Sequence, residues 1–237
     1  KLPIKDGFFF DNVSFKYEGK DDWAIIDLTI TVKPNEKVLI LGQNGAGKTT
    51  LIKLLTRLYE PTHGEIYLDG INIKDYDISA YHSLFGAIFQ DYIRFEMKAY
   101  ENIGISKIND ITNLNTIISS AKMGGADKFI GKLPNSYNQH LGSRFDNGTK
   151  LSGGEWQKIA LSRVFFSQRS VYILDEPTAS LDIQSENELF QQLLNESSKN
   201  MTIIISHRFS HIKKIDRILT LKDGTKVACY RVQKEEI

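Results

Sequence analysis

The residues best equipped for chemistry lie in one short run. Gly42-Gln43-Asn44-Gly45-Ala46-Gly47-Lys48-Thr49 fills the pattern G-x-x-x-x-G-K-[ST], which cradles phosphate groups when it joins a buried strand to a helix. Glycine opens backbone torsions closed to other residues, so consecutive N–H groups converge on phosphate oxygens beside the positive end of the helix. Lys48 then reaches the β- and γ-phosphates, the Thr49 hydroxyl ligates Mg²⁺, and Thr50 joins the residues that hold the nucleotide. Such a loop calls for a carboxylate at the end of another apolar strand. Val171-Tyr172-Ile173-Leu174 runs into Asp175 and Glu176, so Asp175 is expected on the metal side and Glu176 beside the attacking water. Two carboxylates are needed because one bound tightly to Mg²⁺ is a poor proton acceptor.

These residues need a parallel sheet to place them. Lys37-Val38-Leu39-Ile40-Leu41, Val171 to Leu174 and Met201-Thr202-Ile203-Ile204-Ile205 are continuous apolar runs that read as strands buried on both faces. The third ends at Ser206-His207. Ligands bind at such strand ends in open α/β sheets. Leu51, Ile52, Leu54, Leu55 and Leu58 fall at helical spacing and predict a helix over 49–59, stopped before Pro61. Upstream, Phe8 to Phe10, Val13 to Tyr17 and Ile25 to Val32 alternate apolar with polar residues, as half-buried antiparallel strands do. Between 92 and 166 the strand signal fades, and Leu114 to Met123 and Glu155 to Phe166 read as helices. A last hairpin, Arg217 to Leu221 and Lys226 to Tyr230, turns at Asp223-Gly224.

Composition excludes several classes. With 30 Lys+Arg against 29 Asp+Glu, no dominant nucleic-acid surface is expected, since that needs clustered cations. The longest uncharged run, Ile78 to Gln90, is too short and too polar to cross a bilayer. A single cysteine, Cys229, excludes an intramolecular disulfide and fits a reducing setting. The start, Lys1-Leu2-Pro3, lacks both Met and a signal-peptide core and reads as a cut inside a longer polypeptide.

Leu151-Ser152-Gly153-Gly154-Glu155 closely resembles the signature motif of ATP-binding cassette ATPases, and the other motifs follow that family's order along nearly the whole chain. Ser152 opens a helix, so its hydroxyl and the free N–H groups of Gly153 and Gly154 make an anion site. In the family this site closes over the γ-phosphate held by a second subunit. Tyr17 resembles the aromatic that stacks on adenine. Gln90 resembles the glutamine-loop residue, offering its carbonyl to Mg²⁺ or to the lytic water. Asp182, in Ser180-Leu181-Asp182, resembles the loop that crosses the dimer interface, and His207 the switch histidine. Two departures stand out: Glu155 replaces the common Gln, and Asp146-Asn147-Gly148 stands where exporters often carry Glu-Arg-Gly.

The resemblance implies a P-loop NTPase (RecA-like) α/β core with an antiparallel β subdomain, over 1–91 and 167–237, and an inserted α-helical signalling subdomain over 92–166. It implies the ATP-hydrolysing domain of an exporter on the cytoplasmic face of the cell membrane. ATP and Mg²⁺ are its cofactors, a second nucleotide-binding domain its partner in a homodimer, and a transmembrane domain lies upstream. That domain's coupling helices are expected to meet Gln90 to Phe95, where Tyr92-Ile93-Arg94-Phe95 offers an apolar loop. An importer subunit or a soluble cassette ATPase outside transport is the competing reading.

Overall fold

The computed structural model describes residues 4–177, 200–206 and 215–232. In chain order its strands and α-helices are β1 (Phe8–Phe15), β2 (Ile25–Val32), β3 (Lys37–Leu41), α1 (Lys48–Leu55), β4 (His63–Leu68), β5 (Ile71–Asn72), α2 (Ile78–His82), β6 (Phe85–Ile88), α3 (Ala99–Gly104), α4 (Leu114–Met123), α5 (Asp127–Ile130), α6 (Gly153–Ser167), β7 (Val171–Asp175), β8 (Met201–Ile205), β9 (Arg217–Lys222) and β10 (Thr225–Arg231). They fall into two compact units, one of residues 1–85, 170–175 and 199–237, the other of 86–169 and 176–198.

The first unit holds two sheets. One is antiparallel, in the order β2-β1-β4-β5, and it buries Phe8, Phe10, Val13 and Phe15 of β1 while Phe9 faces outward. The two apolar runs expected over 8–10 and 13–17 are one strand with a bulge. Its register slips between Phe10 and Val13, where Asn12 has φ 46°, as one extra residue in a strand requires. The strand stops at Phe15, so Tyr17 lies beyond its end. The other sheet runs β10-β9-β3-β8-β7 within this unit. Strands β7, β8, β3 and β9 are parallel, and every residue of β7 and β8 is buried. A sheet covered on both sides selects the unbroken Val/Ile/Leu runs seen in the sequence.

Helix α1 is shorter than its apolar spacing predicts. Thr56 Oγ1 donates to the Ile52 carbonyl at 2.9 Å, and Arg57 takes φ 56°, which ends the helix. That turn carries the Arg57 guanidinium onto the carbonyls of Ile73 and Tyr76, at 3.1 and 2.9 Å. Leu58 and Tyr59, expected on the helix, are exposed instead.

The second unit is mainly helical. Ile103 of α3, Ile117 and Ala121 of α4, Ile130 of α5 and Trp156, Ile159 and Phe166 of α6 form one apolar cluster. Close packing of α4 on α6 depends on Gly124, where a Cβ would stand 2.5 Å from the Ser162 backbone nitrogen.

One ion pair ties the core sheet together in the first unit. Arg217 of β9 meets Glu36 with Nε–Oε1 2.8 Å, Nη2–Oε1 2.6 Å and Nη2–Oε2 2.7 Å. Glu36 is 7% exposed, and its Oε2 also accepts from the Lys33 backbone N–H at 2.8 Å. Burial alone would lower the Arg217 pKa, but the hydrogen bonds and charge of Glu36 raise it above its usual value. Removing one partner of such a pair strands a charge in a poorly solvated place, at a cost of about 3–5 kcal/mol. Glu36→Ala is therefore expected to lower the unfolding free energy by about that amount in a urea titration. A loss below about 1 kcal/mol, the value of a solvated pair, would refute the assignment.

Candidate active site

In the first unit the glycine loop follows β3 directly. Gln43, Asn44 and Gly45 form its exposed tip, whereas Ala46, Gly47 and Lys48 are buried. Gly47 is the residue before α1 and has φ 94°, a conformation that strains any side chain. A Cβ there would also strike the Ala24 carbonyl and the Ile25 side chain. The Lys48 ammonium folds back and donates to the carbonyls of Gly42 and Gln43 at 2.8 and 2.9 Å. The loop is thus closed around its own cation.

Thr49 and Asp175, 126 residues apart in sequence, are joined by a hydrogen bond from Oγ1 to Oδ2 at 3.0 Å. Asp175 is 4% exposed and ends β7, so the sheet sets its position. A hydroxyl and a carboxylate, both hard oxygen donors, suit Mg²⁺ held with phosphate oxygens. The donor set therefore fits the metal that the loop pattern implies.

Tyr17 joins the same group. Its hydroxyl and Thr50 Oγ1 are 2.9 Å apart. Its ring lies nearly perpendicular to Phe15, with centroids 4.9 Å apart at 82°, and to Tyr59, at 5.4 Å and 85°. These rings border a cavity of about 650 Å³ that Lys16 and Thr62 also line, a volume in the range of small-molecule sites.

The second unit holds the remaining described candidates. Ser152 is the N-cap of α6, and its hydroxyl accepts from the Glu155 backbone N–H at 3.2 Å. Glu155 Oε2 in turn accepts from Ser152 N at 2.8 Å and from Ser152 Oγ at 2.9 Å. This is a capping box. The unusual Glu155 thus engages the signature serine itself. Gly153 and Gly154 are the first residues of α6. Gln90 follows β6, and its Nε2 lies 3.5 Å from Glu176 Oε2, at the outer limit of a hydrogen bond.

Two side chains of α6 that no motif singles out hold this unit's loops. The Gln157 amide, 3% exposed, donates to the Glu176 carbonyl at 3.1 Å. Arg163 donates to the carbonyl of Asn102 at 3.0 Å, to Asn102 Oδ1 at 2.8 Å and to the Ile93 carbonyl at 3.2 Å. Its guanidinium stacks over Phe95 at 4.9 Å, and burial lowers its pKa to about 10. Gln157, a polar residue at a buried position of α6, is held there by a hydrogen bond, as such a group requires. The loop from Tyr92 to Phe95 is accordingly not one apolar face. Tyr92 bonds the Gly153 carbonyl at 3.2 Å and Phe95 lies under Arg163, while Ile93 is 64% exposed. His207 and Asp182 lie outside the described residues.

Comparison with known proteins bears on the family of the chain. The chain is 40% identical over 227 residues to the subtilin transport ATP-binding protein SpaT of Bacillus subtilis, covering 94% of this chain and 37% of that protein. It is 37% identical over 215 residues to the nisin transport ATP-binding protein NisT of Lactococcus lactis subsp. lactis, covering 90% of this chain and 36% of that protein. The chain therefore spans little more than a third of these relatives. A solved bacterial Atm1-family ABC exporter with ATP bound superimposes with a TM-score of 0.88 at 30% identity, over 98% of this chain and 39% of that one. The profile described as ABC transporter matches residues 25–179, well over half of the chain. On the strength of that match, and of a phosphate loop closed around Lys48 beside the Thr49–Asp175 pair, this chain belongs to the ABC transporter family as one of its ATP-binding domains.

Proposed function

We propose that this chain is the ATP-hydrolysing domain of an exporter, working as a dimer that closes on two Mg·ATP at the cytoplasmic face of a membrane. The observation that carries the reading is the Thr49–Asp175 hydrogen bond, which sets a metal-ligating hydroxyl and carboxylate together beside the phosphate loop. Lys48 and the loop N–H groups hold the phosphates, and Tyr17 supports the adenine. Thr49, Asp175 and the Gln90 carbonyl would hold Mg²⁺, which would neutralise charge on the phosphates when bound. Glu176 takes the proton of the attacking water, and His207 is assigned the role of orienting Glu176 and contacting the γ-phosphate. Hydrolysis then breaks the bond between the γ-phosphorus and the bridging oxygen, giving ADP and phosphate.

The domain boundaries proposed from sequence, a nucleotide-binding core over 1–91 and 167–237 around a helical subdomain over 92–166, fit this division of labour. Ser152, Gly153 and Gly154 offer an anion site to the nucleotide of the second subunit, with Asp182 at the interface. A transmembrane domain on the upstream side of the chain is the second partner. Among the described residues no helix is long and apolar enough to cross a membrane. The names of SpaT and NisT, ATP-binding proteins of subtilin and nisin transport, support a role in transport.

Three outcomes are expected. Glu176→Gln abolishes steady-state hydrolysis, by at least about 100-fold as loss of a general base does, while retaining ATP and trapping a dimer visible by size exclusion. Unchanged turnover in that variant would remove Glu176 from its role. Glu155→Gln keeps the capping box, since Gln serves at that position, so thermal stability falls by no more than the ~0.3–1 kcal/mol of a charge at a helix N-terminus. It also removes a negative charge from the anion site, so ATP-dependent dimerisation tightens by a few-fold, about the 0.3–1 kcal/mol of a charge at a helix terminus. Weaker dimerisation would contradict the proposed contact. Ile93→Asp, on the exposed residue of the loop, reduces transport in vesicles while leaving ATP affinity intact. Equal loss of both would place Ile93 in the fold instead of at the membrane partner.

A further inference from the structure

Glu176 has an unusual backbone. It follows the last residue of β7 with φ 50°, a conformation that costs a non-glycine residue on the order of 1–3 kcal/mol and persists only where its surroundings enforce it. Pro177 comes next and brings no N–H that might anchor the turn. The Glu176 carbonyl does have an anchor, the side-chain amide of Gln157, at 3.1 Å.

Gln157 belongs to α6, whose first turn carries Ser152, Gly153 and Gly154. It is 3% exposed, and a buried amide is retained at such a place only if bonded. Only its N–H can face a carbonyl oxygen, so the direction of the bond is unambiguous. Five residues separate Gln157 from the N-cap, a rise of roughly 7.5 Å along the helix. A short rigid rod therefore joins the anion site at the start of α6 to the backbone of Glu176.

We propose that Gln157 is a positioning residue for hydrolysis, holding the Glu176 backbone in its left-handed conformation so that the carboxylate is aimed at water. This rests on the reading of Glu176 as the general base. The helix that meets the second subunit's nucleotide then also sets the base of its own chain, and a shift of α6 along its axis carries Glu176 with it. Misplacing a reacting group by about 1 Å costs on the order of 100-fold, so loss of the anchor falls on turnover and not on nucleotide affinity.

The test compares Gln157→Met, which conserves volume but removes the donor, with Gln157→Glu, which keeps the shape and presents an acceptor to the carbonyl. Both are expected to lower kcat by about 10- to 100-fold, with KM for ATP and the Kd of a fluorescent ATP analogue within about threefold of the unmodified protein. In a Glu176→Gln background, Gln157→Met is expected to lower the residual hydrolysis no further, because it acts through Glu176. Normal kcat in both variants, parallel loss of ATP affinity, or an additional loss in the double variant would each overturn the proposal. If Glu176→Gln itself hydrolyses ATP normally, the reading of the base falls and this inference with it, whereas an inactive Glu176→Gln beside an active Gln157→Met overturns the inference alone.

Discussion

Burial of the parallel strands on both faces is the constraint from which the first unit follows. A strand such as β7, with all five residues buried, has no solvent face on which to carry polar chemistry. Its carboxylate stands at the end of the strand, as Asp175 does. The same argument applies to β3, whose continuation is the glycine loop, and the sheet brings the two ends together. Thr49, at the start of α1, then meets a carboxylate 126 residues away through the geometry of the sheet, with no need for a flexible loop to find it.

The second constraint is electrostatic. Charged groups near this sheet are bonded in ways that local sequence does not announce. Lys48 turns back on the carbonyls of its own loop, and Arg217 is held by both oxygens of Glu36. Each arrangement offsets the loss of hydration that burial imposes on a charge. For Lys48 this means that the loop's own carbonyls fix where the cation stands.

What the sequence made legible follows from this physics. Continuous apolar runs declared β3, β7 and β8, and the alternation over Ile25 to Val32 declared β2, because the pattern of burial writes itself directly into residue type. The phosphate loop was legible because few residues other than glycine tolerate its torsions. Less legible were features that depend on one hydrogen bond or one unusual torsion. The end of α1 is set by Arg57 in a left-handed turn, and neither the spacing of Leu58 nor the position of Pro61 foretells it. The bulge that makes β1 one strand hangs on Asn12. Gln157 and Arg163 were invisible to a search for motifs because their partners, the carbonyls of Glu176, Asn102 and Ile93, belong to every residue and leave no mark in the sequence.

Backbone carbonyls as partners also explain why α6 tolerates so little free surface. Trp156, Ile159 and Phe166 commit the helix to the apolar cluster, while Gln157 and Arg163 commit their polar atoms to neighbouring loops. An amphipathic helix is held on one face, whereas α6 is fixed both by packing and by polar contacts along its length. Interfaces of this kind are bistable more readily than they are deformable. A perturbation at the N-terminus of α6 is therefore shared between the Tyr92 to Phe95 loop, through Tyr92 and Arg163, and the turn at Glu176, through Gln157. Communication within this unit then requires no relay of small distortions, since the loop and the turn are anchored to one rigid element.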